Sequence, residues 1–484
     1  MKTRLFALTT SLCLAALSGC DLAPVYDPPQ LLLPDSYKGS GPFGVAEPGD
    51  ALARGDWWTM FGDPKLNELE AQLGSANPTL QSAAEVYAQA RGLAAEAQSR
   101  RYPQVDATAS LSENKQSAQR LFRSNSANQG RDQEASNEIG AAASWEPDFW
   151  HAIRNSAHAR KRLAQASAAD LETARLSLQA ELASNYIALR GLDAQLEVLR
   201  QSIEAYAAAV EVTRLRQQGE IASGLDVARA SSQLESARAQ QTETRLQRDL
   251  LEHAIAVLVG AMPSTFSIAP VSEFTLEVPD LPPGLPSQLL QRRPDIASAE
   301  RLMAAANAAI GVSRAAFYPN IVFGGAAGFQ SNAFDLASLP NSLWSVGASA
   351  MLPLFEGGLR RAELRRSWAQ YAQTRDDYRA TVLAAFQEVE DGLSMTRHLA
   401  TEVKQQQAAS THAGQALAIS TQLYKAGLDN YLSVSVAQVQ ALAAQTAEVQ
   451  VQVRETQASV SLIRALGGGW TTQDLPTEKQ TLEH

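Results

Sequence analysis

Hydrophobic and polar residues alternate along this chain with two different periods. Val105, Asp106, Ala107, Thr108, Ala109, Ser110, Leu111 and Ser112 change character at every step. That is the period-two signature of a strand with one apolar face. Ile139, Ala141, Ala143 and Trp145 continue the rhythm on a second strand. The pattern returns later: Ile321, Phe323, Ala327 and Phe329 share one face of a third strand, and Trp344, Val346, Ala348 and Ala350 one face of a fourth. A polar connection joins each pair. Strands of this length with alternating faces suit a transmembrane barrel.

The rest of the chain reads as helix. Residues 148–262 and 354–475 contain no proline and are dominated by Ala, Gln, Glu, Leu and Arg, strong helix formers. Turn chemistry breaks each stretch once, at "QQGEIASGLD" (217–226) and at "KAGLDNYLS" (425–433). The pattern predicts two helical hairpins, with long first arms over 153–218 and 360–426 and shorter second arms over 225–259 and 431–466. At about 1.5 Å per residue the long arms reach roughly 100 Å, so they form a rod or tube rather than a compact domain. A further helix precedes each strand pair, over 66–101 and 287–317. Stacked on a second arm, it matches one long arm in length.

The two halves are an internal repeat. Pro78 and Pro294 stand 216 residues apart, as do Pro103 and Pro319, while Pro147 and Phe149 match Pro353 and Phe355 at a shift of 206. At the hairpin tips Gly219 pairs with Gly427; beyond them Leu225, Val227 and Gly260 pair with Leu432, Val434 and Gly467. Each half reads helix, strand, strand, long helix, tip, helix. Pro103 and Pro319 mark where helix passes into strand, because the residue before a proline is pushed out of the α region.

Four strands cannot close a barrel, and an open edge in lipid leaves backbone groups unsatisfied. Spanning a membrane therefore requires several copies. Two would give eight strands, an interior filled by side chains, whereas three would give twelve and an open lumen. Alternation alone leaves the number open.

The chain's start changes the picture. Lys2 and Arg4 precede an apolar run over 5–17, too short to span a bilayer as a helix. Leu17-Ser18-Gly19-Cys20 then resembles a bacterial lipobox, which would make Cys20 the first mature residue and the site of acylation (palmitate). Cys13 lies in the signal, so no thiol remains for a disulfide. Formal charge is −10 with no basic, aromatic-interleaved cluster, which argues against a nucleic-acid partner. The histidines at 151, 158, 253, 398, 412 and 484 are scattered and form no metal-ligand motif. No nucleophile elbow, phosphate loop or dinucleotide fingerprint is present, so the reading is of no enzyme, no catalytic site, no cofactor and no metal.

"GDWWTMFGDPKLNEL", "LLQRRPDIASAERLMAAANAAIGVSRAAFYP" and "LFEGGLRRAEL" resemble the signature segments of the outer-membrane efflux protein family, the TolC-like channels. With the lipobox, the chain is most similar to the lipoprotein, NodT-type branch that serves resistance-nodulation-division pumps. The resemblance covers nearly the whole mature chain. It implies a mainly α fold with membrane β: a homotrimer whose twelve-stranded β-barrel in the outer membrane continues into a periplasmic α-helical barrel. It also implies a passive exit duct for drugs or other small toxic compounds, with a periplasmic adaptor (membrane fusion protein), an inner-membrane resistance-nodulation-division transporter and outer-membrane lipid as partners. The alternatives are the exit duct of a type I protein secretion system and, from another class, a periplasmic coiled-coil adaptor. An adaptor would carry one hairpin; this chain carries two in tandem. The expected division is a signal peptide over 1–19, a lipidated segment with equatorial packing over 20–65, a first repeat over 66–262, an equatorial linker over 263–286, a second repeat over 287–469 and a tail over 470–484.

By the same resemblance the tips carry the function, as gate and adaptor dock: Gly219, Ser223, Leu225 and Asp226, with Tyr424, Gly427, Leu428, Asp429, Tyr431 and Leu432. A ring of Asp429, with Asp226, would make a negative constriction favouring cations, and Tyr424 is placed to hydrogen-bond across neighbouring helices. The second tip departs from the family pattern: Ser433-Val434-Ser435-Val436 stands where the first has Leu225-Asp226-Val227. His151-Ala152 also departs, replacing the usual Gly-Arg or Gly-Lys, and Asp21 follows Cys20 where some bacteria read an inner-membrane retention signal. Arg292, Arg293 and Asp295 read as a helix start, with Pro294 in the first turn and Asp295 at the positive end of the dipole. Asn77-Pro78 reads the same way, with an N-cap side chain, and Trp57 and Trp58 as packing for the N-terminal segment.

Overall fold

The structure, a computed structural model, describes residues 21–29, 34, 36–38, 56–115, 117, 133–276, 278–279, 290–333, 335–336 and 338–482. Cys20, the signal segment, His484 and the start of the second repeat at 287 lie outside the described residues.

The elements come in matched sets. The first half runs α1 (Pro64–Ala76), α2 (Pro78–Ser99), β1 (Gln104–Lys115), β2 (Gln133–Trp145), α3 (Ala152–Gln218) and α4 (Gly224–Leu258). The second runs α5 (Pro294–Ala315), β3 (Asn320–Ser331), β4 (Ser342–Met351), α6 (Leu359–Lys425) and α7 (Tyr431–Ala465). α3 and α6 each have 67 residues, α4 and α7 each 35, and α2 and α5 each 22. Ala152 and Leu359, Gln218 and Lys425, Gly224 and Tyr431, and Leu258 and Ala465 all stand 207 residues apart. The repeat is therefore one of lengths more than of residues.

The helix expected over 66–101 is two helices. Asn77 before Pro78 takes extended backbone (φ −68°, ψ 119°), and its Oδ1 accepts from Leu80 N at 2.8 Å as the cap of α2. A residue before proline avoids the α region, so the helix must break there. Arg293 before Pro294 does the same (φ −104°, ψ 123°), with helix on both sides.

The stacking expected from length matching takes the form of a splice. Asn77 Nδ2 donates to the carbonyl of Leu258, the last residue of α4, at 2.7 Å. In the second half Arg293 Nη1 donates to the carbonyl of Ala465, the last residue of α7, at 3.0 Å. Each short helix thus starts where a second arm ends, and orphan C-terminal carbonyls gain a donor. Gly260 and Gly467 (φ +71° and +94°) turn the chain away, and a Cβ on either would collide with the backbone of Ala76 or Arg292.

The four strands make one antiparallel sheet in the order β1-β2-β3-β4. Its register places Val105, Ala107 and Ala109 opposite Ala143, Ala141 and Ile139. Ile139 and Trp145 then stand opposite Phe329 and Phe323, and Phe323 and Ala327 opposite Ala348 and Trp344. Directly paired residues share a face, so one face carries an apolar band across all four strands, which ends at Asn137 and Ser331 and gives way to Glu113 and Lys115. The other carries Asp106, Thr108, Ser110, Glu138 and Gln330 among small residues. β1 and β4 are open edges. Below the sheet, Trp145 Nε1 donates to Arg101 O (3.1 Å) and Trp150 Nε1 to Pro319 O (2.8 Å), while Trp150 stacks on Tyr318 at 4.6 Å. Aromatics of this kind gather at membrane–water interfaces.

The main core lies about half-way along α3. Trp57, Trp58, Phe61, Leu66, Leu69 and Leu73 pack there against Leu182, Tyr186, Ile187 and Ile255. An ionic chain runs through it: Tyr186 Oη donates to Asp63 (2.8 Å), Arg190 to Tyr186 Oη (2.9 Å) and Asp193 (3.1 Å), and Arg248 to Asp193 (2.6 Å). Glu70 is buried nearby on α1, and neither carboxylate oxygen has a hydrogen-bond partner.

Candidate functional site: the hairpin tips

The tips lie at the far ends of α3 and α6, and local chemistry shapes each turn. At the α3–α4 tip, Ser223 caps α4 in a capping box: its Oγ accepts from Asp226 N (3.3 Å), and Asp226 Oδ2 accepts from Ser223 N (3.2 Å) and Oγ (3.0 Å). Asp226 therefore works first as a helix-start residue. At the α6–α7 tip, Asn430 caps α7 through Ser433 N (3.3 Å), and Asp429 Oδ1 accepts from Asn430 N (2.7 Å). Asn430 supplies the capping function that Ser223 supplies in the first tip.

The pairing of Gly219 with Gly427 is off by one residue. Gly427 follows the C-cap of α6 in the left-handed region (φ +76°), where glycine has no steric penalty. Gly219 is itself the C-cap of α3, at φ −82°. Its successor Glu220 takes the left-handed conformation, at φ +62°. The 207-residue shift of the helices pairs Glu220, not Gly219, with Gly427.

Above the turns, the chain brings Tyr424 and Tyr431 together. Their rings meet edge to face at 5.5 Å, within a small cluster with Ala230 and Val434. Tyr431 is 2% exposed; its hydroxyl donates to Gln438 Oε1 (3.3 Å), and burial pushes its pKa up to about 12. Tyr206 on α3 donates to Gln438 O (3.0 Å), and burial raises its pKa as well. The Tyr424 hydroxyl is buried without a partner within the chain, so its cross-helix contacts run through its ring and its carbonyl instead.

Arg216 makes those contacts. Its guanidinium lies 4.3 Å from the Tyr424 ring centroid, and it donates to Tyr424 O (2.9 Å) and Lys425 O (3.1 Å). It thus ties the end of α3 to the end of α6 by cation–π attraction and by capping the last carbonyls of α6. Sequence reasoning missed Arg216. The available signal was a basic residue in the last turn of a long helix, but nothing in the pattern says which helix end it caps. A cavity of about 400 Å³ adjoins the cluster, lined by Tyr206, Tyr424, Tyr431 and Gln438. Leu225, Leu428 and Leu432 point outward and are exposed. Among the described residues no group of three or more His, Cys, Asp or Glu is placed to hold a metal, and no helix is long and apolar enough to cross a membrane.

Two tandem hairpins of long helices and one four-stranded sheet with an apolar band agree with the comparisons to known proteins. The family described as outer membrane efflux protein matches residues 71–261 and 285–468, nearly the whole of each repeat. The chain belongs to the outer membrane efflux protein family. It is 32% identical over 422 residues to the pyoverdine export outer membrane protein OpmQ of Pseudomonas aeruginosa, covering 87% of this chain and 89% of that protein. It is 29% identical over 477 residues to outer membrane protein OprJ of the same organism, covering 97% of each. The solved structure of the outer-membrane channel OprN superposes with a TM-score of 0.84 at 27% identity, over 93% of this chain and 100% of that one. The efflux protein is thus an outer-membrane efflux channel with the TolC-like fold.

Proposed function

We propose that three copies of this efflux protein close a twelve-stranded barrel and act as the passive exit duct of a tripartite pump. A periplasmic adaptor and an inner-membrane resistance-nodulation-division transporter would deliver small toxic compounds to it. The observation that carries the reading is the sheet: an apolar band continues across β1 to β4 on one face, the opposite face is polar or small apart from Val322 and Leu343, and both edges are open. In lipid an open edge is costly, so closure by further copies follows. Three copies give a lumen lined by Asp106, Thr108, Ser110, Glu138 and Gln330, and wide enough to conduct. The protein has no chemical step to perform; energy enters at the inner membrane. Acylation of Cys20 adds a lipid anchor beside the barrel, a modest contribution to membrane affinity.

At rest the tips hold the far end closed, with Asp429 and Asp226 setting a negative constriction. The adaptor, docking at Leu225, Leu428 and Leu432, binds the open arrangement more tightly and shifts the population toward it. Insertion of the purified oligomer into planar bilayers tests the duct. Discrete conductance steps that increase on truncation of the tips are expected; a folded oligomer without channel activity would overturn the reading.

A further inference from the structure

All four strands pass into helices at one end of the sheet, where Gln104 pairs with Ser144 and Asn320 with Met351. The helix ends gathered there share a charge. Residues 98–103, 152–162, 312–318 and 359–369, at the sheet-proximal ends of α2, α3, α5 and α6, carry eleven Lys or Arg and one acidic residue, Glu363. The whole chain has 41 Lys or Arg against 51 Asp or Glu. A basic collar therefore stands beside the sheet of an acidic protein.

Acidic groups around the collar are engaged elsewhere. Asp148 accepts from Ile153 N (2.9 Å) and Arg154 N (2.8 Å) at the start of α3. Glu356 pairs with Arg360 (2.7 Å), and Glu478 with Arg162 (3.0 Å) and His158 (3.1 Å). Arg361, Arg365 and Arg366 are exposed, and among the described residues their side chains make no hydrogen bond or ion pair. The repeat presents one basic pair twice. Arg154 and Arg361 stand 207 residues apart, as do His158 and Arg365, and each pair is spaced i, i+4 on one helix face. In the first repeat the pair is in use, since Arg154 Nη1 donates to His151 Nε2 (2.7 Å) and His158 holds Glu478. In the second, Arg361 and Arg365 line a groove of about 770 Å³ with Leu359, Leu364 and the Gly357–Gly358 turn. Glu356 lines it too, but is taken by Arg360.

Two further features mark the same height. Between β4 and the groove, Leu354 and Phe355 are each 90% exposed. Apolar band, stacked Trp150 and Tyr318, then free arginines follow the order of a bilayer leaflet from acyl chain to phosphate. The second feature is the start of the mature chain. Asp21, next to Cys20, accepts from Asn155 Nδ2 (2.9 Å), and Arg314 donates to Leu22 O (3.0 Å). Consecutive Cα atoms lie about 3.8 Å apart, so an acyl chain on Cys20 would begin at the collar.

We propose that this collar binds anionic phospholipid, and that the groove at the start of α6 seats one phosphodiester headgroup between Arg361 and Arg365, with the acyl chains running past Leu354 and Phe355. Guanidinium forks match phosphate oxygens in geometry as well as charge. Basic residues beside a membrane-spanning segment attract anionic headgroups. A free phosphate would satisfy the arginines and leave the apolar residues exposed; a lipid covers both. The proposal rests on the outer-membrane duct above and adds the lipid class and the residues that hold it.

Native mass spectrometry of the purified oligomer, released from detergent after titration with lipid, tests it. Wild type should retain phosphatidylglycerol at least about fivefold better than phosphatidylethanolamine. Millimolar inorganic phosphate should not displace the lipid. Arg361→Gln with Arg365→Gln should lose most of the preference. Arg214→Gln with Arg238→Gln removes the same charge from exposed positions toward the first tip and should keep it. Equal retention of the two lipids by wild type, or equal loss in both double variants, would overturn the proposal. Displacement by inorganic phosphate would overturn it too, since the groove would then be a simple anion site. Bilayer conductance of the same preparations separates the two readings. Normal channels without the lipid preference overturn the lipid surface alone, whereas a folded oligomer without conductance overturns the duct.

Discussion

The side-chain amide of Asn77 joins two helices that are 181 residues apart in sequence: Oδ1 accepts from Leu80 N to start α2, and Nδ2 donates to Leu258 O to finish α4. Short helices stacked end to end need such a splice, since every helix end leaves polar backbone groups without partners. In the second repeat the donor is Arg293, which also bonds Asp295 (2.6 Å) and Glu388 (2.7 Å), so that α5, α6 and α7 meet at one guanidinium. Two unlike side chains perform one geometric task at equivalent positions. The Arg293–Asp295 pair is thus more than a helix start, since it holds a three-helix junction.

Replacement of Asn77 separates its two roles. Asn77→Ala loses the cap and leaves the Leu258 carbonyl buried without a donor, a cost of about 2 kcal/mol. Asn77→Asp keeps the cap but turns a carboxylate toward that carbonyl. Both variants should unfold at lower denaturant than wild type. If Asn77→Asp proves as stable as wild type in urea titrations followed by circular dichroism, the splice bond contributes nothing.

The tip turns carry a prediction that alignment of the glycines would reverse. Glu220 sits in the left-handed region while Gly219 does not, so Glu220→Gly should stabilise the first tip by roughly 0.5–1 kcal/mol and Gly219→Ala should be nearly neutral. Gly427→Ala should destabilise the second tip by about 1 kcal/mol, since its φ is +76°. Hydrogen exchange of the amides flanking each turn reads these changes locally. Equal responses at Gly219 and Gly427 would refute the one-residue offset.

The contrast between the tips shows how far sequence reasoning reaches. Strand faces were legible because period-two alternation is a local property, and Val105, Ile139, Phe323 and Trp344 all fall on the face it predicts. Hairpin lengths were legible because proline is absent and turn chemistry is concentrated. The helix start at Asn77-Pro78 was legible from the proline and the capping side chain, although the helical pattern on its own reads as one helix over 66–101. What a side chain reaches across the fold was not legible: Arg216 on Tyr424, Arg293 on Ala465 and Asn77 on Leu258 each span more than 170 residues of sequence. No local period encodes such contacts. The family resemblance singled out the tip positions and left their partners unspecified.

Glu70 makes stability depend on pH in an unusual direction. Its carboxyl is buried beside Leu66, Leu69 and Leu73 with no hydrogen-bond partner, and burial pushes its pKa up to about 9. The unfolded chain releases this proton near pH 4.5, whereas the folded protein keeps it to about pH 9. Between those values the folded state holds one more proton, so this residue's contribution to stability falls as pH rises, by about 1.4 kcal/mol per pH unit. Glu70→Gln removes the ionisation. Its stability relative to wild type should therefore grow steadily from pH 5 to pH 8.5 in parallel urea titrations. A difference that stays flat over that range would mean that the carboxyl is hydrated or paired when folded.

Arg216 should act as a latch between the two hairpins. It contributes a cation–π contact with Tyr424 and two hydrogen bonds to the last carbonyls of α6. Together these are worth about 1.5–3 kcal/mol at a partly exposed site. Arg216→Ala removes all three and should raise the population with separated tips at least tenfold, since about 1.4 kcal/mol is one decade. Arg216→Lys keeps the charge but loses the fork that reaches two carbonyls at once, and should fall between. Tyr424→Phe removes only a hydroxyl that has no partner in the chain and should leave closure nearly unchanged. Single-channel recording in planar bilayers distinguishes these outcomes as longer or larger openings. Conductance that responds to Tyr424→Phe but not to Arg216→Ala would show that the hydroxyl finds a partner in a neighbouring copy and that the latch lies between subunits rather than within one.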